Sequence, residues 1–271
     1  MSKFNIQIYV VSHSAEDIQK IRSDDLYTPL FVGRNGKDNL GYCSDDSGDN
    51  ISYKNSDLSE LTGLYWMWKN SDADIIGLCH YRRYFKNEKG KLLNQNDIKN
   101  YLRNYDILMA KKTYLIKNSL NETYKGTYYI KVFKETRKAI EKLHPECLNT
   151  YDNVMGQNSF SCYNMFVTSK EIMSNYCNWL FPIIEELEIN IDLEEEKRII
   201  GVITEYLFNV WVTYQNLNVK ELPLYYLGNM LKFRMYLSNN KLFRRLYLKI
   251  SKNSNVEEKI HNLFYAKKKY Y

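Results

Sequence analysis

The chain has 271 residues, enough for one large domain with an appendage and for a substantial buried core. Forty-four per cent apolar and 26% charged residues describe a globular protein and exclude a disordered or fibrous one. The net charge of +6 is uneven: residues 228–271 carry eight Lys and three Arg against two Glu, a local +9 that leaves −3 for the first 227 residues. A mildly acidic body with its basic excess in a tail argues against a nucleic-acid-binding domain, and no nucleic-acid motif is present.

Cysteines 43, 79, 147, 162 and 177 are odd in number and widely spaced, with no Cys-x-x-Cys pair. Reduced thiols are expected, and a zinc site is not. The opening MSKFNIQIYVVSHS has an apolar run only about a strand long and no signal-peptide architecture. No stretch approaches the roughly 20 apolar residues of a membrane-spanning helix. The expectation is a cytoplasmic protein that does not cross a bilayer.

In chain order, Phe4–Val11 reads as an opening strand ending at Ser12-His13, followed by a short helix over Ala15–Asp24 and a strand at Leu30–Val32. The loop 33–50 is dense in Gly, Asn and Asp. Leu58–Asn70 is predicted helical, with Asp57 as N-cap, Glu60 as its capping-box partner, and Leu61, Leu64, Tyr65 and Trp68 on one face. Asp74–Phe85 is predicted to be a strand buried on both faces, from its continuous apolar run. Further predictions are a helix over Asp97–Tyr105, a strand over Asp106–Ala110, a mobile loop over 111–128 and a helix over Ile130–Leu143. Cys162–Ser169 reads as a strand, Lys170–Glu188 and Arg198–Tyr214 as long helices, and Glu221–Tyr226 as a last strand. Alternating strands and helices of these lengths predict an α/β fold with a mostly parallel sheet.

The most informative run is IIGLCHYRRYF (75–85), where an apolar strand gives way to His80, Arg82 and Arg83. The carboxyl end of a strand is where open α/β sheets bind ligands. Paired guanidiniums there can hold phosphate oxygens through parallel hydrogen bonds, so a nucleoside-diphosphate donor is the first hypothesis. Solvated arginines at a strand end are the bland alternative.

Taken with GDNIS (48–52), ELTGLYWMWKN (60–70), YNMFVTSKEIMSNYCNWLFPIIEELE (163–188) and TEYLFNVWV (204–212), this run resembles a bacterial glycosyltransferase family. Its members occur in capsule, O-antigen and exopolysaccharide gene clusters, and many were long known only as a domain of unknown function. The resemblance covers about residues 4–227. It implies a GT-A-like domain over 1–227; residues 228–271, which it does not cover, read from their own pattern as a basic amphipathic helical tail. It further implies transfer of a hexose, galactose or galactofuranose, from a UDP-sugar.

On that resemblance, the usual carboxylate pair that holds a divalent metal at the strand end is replaced by His80-Tyr81-Arg82-Arg83. A metal-independent grip on the diphosphate by Arg82, Arg83 and Lys54 is the favoured expectation, with His80 either a phosphate donor, a catalytic group or a metal ligand. Mn²⁺ or Mg²⁺ is the alternative, with Asp45, Asp46 and Asp49 as reserve ligands. Ser12, His13, Asn50, Ser52 and Asn55 are candidate nucleotide contacts, although Asp49-Asn50 is equally plain turn chemistry. Glu205, on an apolar helix, is the candidate general base; a structural carboxylate paired with Arg198 is the other reading. Asn164 and Asp49 are candidates for sugar or acceptor recognition. The tail interleaves Leu, Phe and Tyr with Lys and Arg, as in a helix lying on an anionic bilayer. That suits a peripheral enzyme at the inner membrane face acting on a lipid-linked oligosaccharide.

Overall fold

A computed structural model describes residues 4–115 and 119–227. Its strands are β1 (Ile6–Ser12), β2 (Tyr27–Phe31), β3 (Cys43–Ser44), β4 (Ile75–His80), β5 (Arg83–Phe85), β6 (Ile107–Ala110), β7 (Thr113–Tyr114), β8 (Ser159–Phe160), β9 (Phe166–Ser169), β10 (Val219–Leu222) and β11 (Leu224–Tyr226). The helices are α1 (Ala15–Ile18), α2 (Asn55–Leu58), α3 (Leu61–Asn70), α4 (Gln95–Tyr101), α5 (Leu120–Thr123), α6 (Tyr129–Leu143), α7 (Leu148–Met155), α8 (Lys170–Asn190) and α9 (Ile199–Tyr214). The main sheet runs β10-β6-β9-β4-β1-β2-β3, with β5 and β11 attached beside the end of β4. Only β9 runs against its neighbours along that path, so the α/β, mostly parallel expectation is met.

Period-two side-chain alternation divides the interior into two cores, one on each face of the sheet. Tyr9, Val11, Ile76, Leu78 and Phe166 join α3, α6, α7, α8 and α9 on one face. Ile8, Val10, Cys79 and Val167 join Ile18 of α1 and Ile98 of α4 on the other. The five cysteines are free thiols. Among the described residues no helix is long and apolar enough to cross a membrane.

Several elements depart from the sequence expectation, each for a local reason. The strand expected over Asp74–Phe85 is a hairpin: His80 pairs antiparallel with Arg83 across a turn at Tyr81-Arg82. Its β4 part lies in the middle of the sheet, between β1 and β9, as a strand buried on both faces should. The helix expected from Leu58 is broken at Ser59, whose φ of 55° and ψ of −128° end α2. Asp57 therefore lies inside α2, and Glu60 occupies the cap position of α3 without a side-chain cap bond. The expected loop 111–128 contains β7 and α5, whose Ser119 hydroxyl accepts from the Glu122 N–H at 3.2 Å. Residues 116–118 of that loop lie outside the described residues, as does the basic tail 228–271. Pro223 separates β10 from β11 where one strand was expected. Helix α7 had no counterpart in the sequence reading.

The opposite end of α3 is closed by Lys170, whose ammonium donates to the carbonyls of Met67 (2.7 Å), Trp68 (2.8 Å) and Ser71 (3.0 Å). A cation there adds to the bonding of the helix-end carbonyls and complements the negative end of the helix dipole. Burial holds the Lys170 pKa below its ordinary value.

Gly77 shows how tightly β4 is held. A Cβ there would sit 2.9 Å from Val167 Cγ2, 3.0 Å from Ile8 Cγ1 and 3.1 Å from the Phe166 carbonyl. Two of those obstacles are neighbouring side chains and the third is backbone that the ladder fixes. Gly77→Ala should destabilise the fold by about 1–3 kcal/mol through overpacking. Urea denaturation checks this, and an unchanged midpoint would contradict it.

Candidate active site

The strand-end geometry starts from the hairpin. The Tyr81 N–H donates to the Val11 carbonyl at 3.1 Å, which carries the β1–β4 ladder into the turn. Arg82, on the turn, lies 4.7 Å from the Tyr81 ring centre and pairs with Asp17 of α1 at 3.5 Å. Arg83, at the start of β5, stacks its guanidinium 4.1 Å over the Tyr163 ring. Its Nε is buried without a hydrogen-bond partner. The two adjacent arginines are thereby held against different surfaces, Arg82 toward α1 and Arg83 toward the segment that enters β9.

That segment is bent by two consecutive left-handed residues, Tyr163 (φ 80°) and Asn164 (φ 51°). Asn tolerates this region; Tyr does so at a cost of about 1–2 kcal/mol, which surrounding contacts must offset. Those contacts are specific. The Tyr163 carbonyl lies 2.7 Å from His80 Nε2. A carbonyl only accepts, so Nε2 carries the proton and Nδ1 is left as an acceptor. The Asn164 amide donates to Glu60 Oε1 at 2.9 Å and Thr204 Oγ1 at 3.2 Å, while its Oδ1 is buried without a partner. Asn209 of α9 exchanges two 2.9 Å bonds with the Ser161 backbone, fixing the approach to the bend.

Electrostatics follow from this packing. Burial, followed by the nearby Arg83 charge, lowers the His80 pKa to about 4, against smaller upward pulls from the Tyr163 carbonyl and Glu205. His80 is therefore neutral at pH 7, not one of three cations as its sequence setting allowed. Glu205 projects from α9 into the same neighbourhood, where its charge raises the pKa values of Tyr163 and Tyr206 after burial has done so. Thus His80, Arg83, Asn164 and Glu205 come together, with Glu60, Tyr163 and Thr204 among them.

At the end of β1, Ser12 is buried and its hydroxyl accepts from the Ser14 N–H at 3.3 Å. His13 is half-buried and lies near Arg82. The remaining candidates serve the loop after β2. Buried Asp45 accepts from the Gly33 N–H at 2.8 Å, the Arg34 N–H at 3.3 Å and the Ser52 hydroxyl. Asp46 pairs with Arg34 at 2.7 Å. Asn55 donates to the Ser59 carbonyl at 2.7 Å and Thr62 Oγ1 at 2.9 Å. Lys54 is paired with Glu188 of α8 at 2.7 Å. Asn50 closes a turn, accepting from the Ser52 N–H at 3.2 Å, and Asp49 accepts from the Tyr65 hydroxyl at 3.1 Å. Asp49 is also bonded through its backbone to Asn70, at the far end of α3 from Glu60. Ten residues of helix put about 14 Å between those ends. The structure places Asp49 at the end of α3 away from Glu60.

Asp45, Asp46 and Asp49 are thus each engaged, Asp45 and Asp46 both by Arg34 and Asp49 by Tyr65. Among the described residues no group of three or more His, Cys, Asp or Glu side chains converges to hold a metal ion.

The resemblance to known proteins agrees with this architecture. A family model described as a domain of unknown function, DUF4422, matches residues 7–216, and the chain belongs to that family. Among solved structures, the apo structure of WbbM, a bifunctional glycosyltransferase, matches with a TM-score of 0.73 at 31% sequence identity. The match covers 83% of this chain and 46% of that one, so the chain spans about half the length of the WbbM chain. The GT-A-like α/β architecture expected from the sequence is the one observed. Comparison with curated proteins finds no match.

The lowered His80 pKa has a consequence for stability. Between about pH 4 and the ordinary histidine value of 6.5, the unfolded chain binds a proton at this residue that the folded protein excludes. Its contribution is complete above pH 6.5 and is lost as pH falls toward 4. His80→Gln should flatten the acid limb of a stability–pH profile measured by denaturant titration; identical slopes would refute the assignment.

Proposed function

We propose that this protein is a nucleotide-sugar-dependent glycosyltransferase of surface-polysaccharide assembly. It moves a hexose, with galactose or galactofuranose favoured, from a UDP-sugar to a lipid-linked glycan acceptor. The observation that carries this reading is the convergence of Arg83, His80 and Glu205 around the carboxyl end of β4, with Arg82 on the adjoining turn, in a fold shared with a bifunctional glycosyltransferase.

The chemistry is assigned as follows. The guanidiniums of Arg82 and Arg83 offset charge on the diphosphate, with no metal needed at that position. Glu205 takes the proton from an acceptor hydroxyl as its oxygen bonds to the anomeric carbon. The bond from that carbon to the diphosphate oxygen breaks, and UDP leaves with the electron pair. Neutral His80 holds the Tyr163–Asn164 bend in place and keeps its unprotonated nitrogen available to a sugar hydroxyl. The acceptor reaches the protein at the inner membrane face, where the basic residues of 228–271 bind anionic lipid.

Release of UDP from candidate UDP-sugars, with and without a lipid-linked acceptor, tests the reaction. Binding without turnover would favour a nucleotide- or carbohydrate-binding module instead. Glu205→Gln should lower transfer by roughly 10²–10⁴-fold, the usual span for a positioned acid–base group, with the UDP Kd within about twofold of wild type. Arg83→Ala should instead weaken UDP binding. Full turnover by the Glu205 variant would remove it from the mechanism.

A further inference from the structure

Lys37 and Arg82 reach the end of β1 beside His13, and the charge of Arg198 bears on the same imidazole from the start of α9. Lys37 comes from the loop after β2, with its ammonium 3.5 Å from the His13 carbonyl and 5.5 Å from the Phe31 ring centre. The turn presenting Lys37 is closed by a 2.7 Å bond from its N–H to the Arg34 carbonyl, with Gly36 at φ 75°. Its base is pinned by Asp45 through the Gly33 and Arg34 N–H groups. Arg82 comes from the β4–β5 turn, and Arg198 from the residue preceding α9.

Arg198 is left-handed, with φ 63° and ψ 14°, a conformation unfavourable for a side chain of this kind. The first turn of α9 starts there without a side-chain cap. The helix is drawn close to α2 at this end: a Cβ on Gly201 would lie 3.4 Å from the Ser59 side chain. Burial and then the charges of Arg198, Lys37 and, more weakly, Arg82 hold the His13 pKa below its ordinary value. Asp17 of α1 acts the other way, and it is already shared with Arg82 and Lys20. Like charges close together repel, and a bound anion of two or more charges would relieve that repulsion. Lys37 is exposed and His13 half-buried, so solvent and solutes reach the cluster.

We infer that His13, Lys37 and Arg198, beside Arg82, form a second phosphate-binding cluster that holds the nucleoside-side phosphate of the leaving diphosphate. This rests on the glycosyltransferase reading. It gives Arg82 a bridging place between the cluster and Arg83. It also narrows the nucleotide contact expected at the end of β1 to a phosphate.

The test uses the full chain, with UDP, uridine and inorganic pyrophosphate as probes in calorimetric titrations. The variants are Lys37→Ala, Arg198→Gly, which accepts the left-handed backbone, and Arg198→Lys, with melting temperature as the folding control. UDP and pyrophosphate affinity should fall about tenfold or more in the first two, recover in large part in Arg198→Lys, and leave uridine binding unchanged. By NMR, saturating UDP should raise the His13 titration midpoint in the wild type. Wild-type binding of UDP that is within twofold in both Lys37→Ala and Arg198→Gly would overturn the cluster while leaving the glycosyltransferase reading intact. Pyrophosphate binding that depends on these residues, without any binding of UDP, would support the cluster and defeat the UDP-sugar reading. Binding of neither probe would overturn both.

Discussion

The architecture of the site depends on one hydrogen bond, from His80 Nε2 to the Tyr163 carbonyl. It joins the end of the central strand to a bend that the chain resists, because both Tyr163 and Asn164 sit in left-handed backbone. Everything near the reacting centre follows from keeping that bend closed. The Tyr163 ring becomes a platform for Arg83, and the Asn164 amide ties β9 to Glu60 at the head of α3 and Thr204 on α9. Burial makes the arrangement self-consistent. A neutral imidazole donates well to a carbonyl without adding a third positive charge beside two guanidiniums.

Carboxylates have an equally defined place, and it is mostly one of construction. Asp45 is fully buried and organises the loop after β2 through two backbone N–H groups and a serine hydroxyl. Asp46 neutralises Arg34, and Glu188 neutralises Lys54. Such pairing removes those side chains from the reservoir of charge that a ligand would meet. What is left near the strand ends is positive on the β1 side and carries Glu205 on the α9 side. A polarity of that sense suits an anionic leaving group at one end and an acceptor hydroxyl at the other.

Strong local patterns were readable from the sequence. The apolar runs of β1, β4 and β6 and the long helices α8 and α9 were found, as was the position of His80, Arg82 and Arg83 at a strand terminus. The turn inside HYRRYF was not, because tyrosine and arginine continue a strand as readily as they leave it, and no Gly or Pro marks the reversal. The break at Ser59 was hidden in the same way, and with it the use of Glu60 as a partner for Asn164 in place of a cap. Asn164 carried a faint signal, since Asn accepts left-handed backbone; Tyr163 and Arg198 carried none. Lys37 was unreadable because its role depends on where a loop folds, and that is set by Asp45. Asp49 and Asn50 looked like ligands because turn-forming and ligand-binding residues share a chemistry; Asp49 is bonded to Tyr65 and Asn70, and Asn50 to its own turn at Gly48 and Ser52.

The borders of the main sheet carry a separate consequence. One border is β3, only two residues long, and the other is β10, whose Lys220 and Glu221 interrupt any apolar run and which Pro223 follows. Short, charged and proline-stopped borders are poor templates for strand addition by another molecule. A chain with this many aromatic and β-branched residues would otherwise be prone to cross-β association. Both ends of the β10-to-β3 path are thus poor sites for self-polymerisation, leaving the strongly apolar central strands free to serve packing alone.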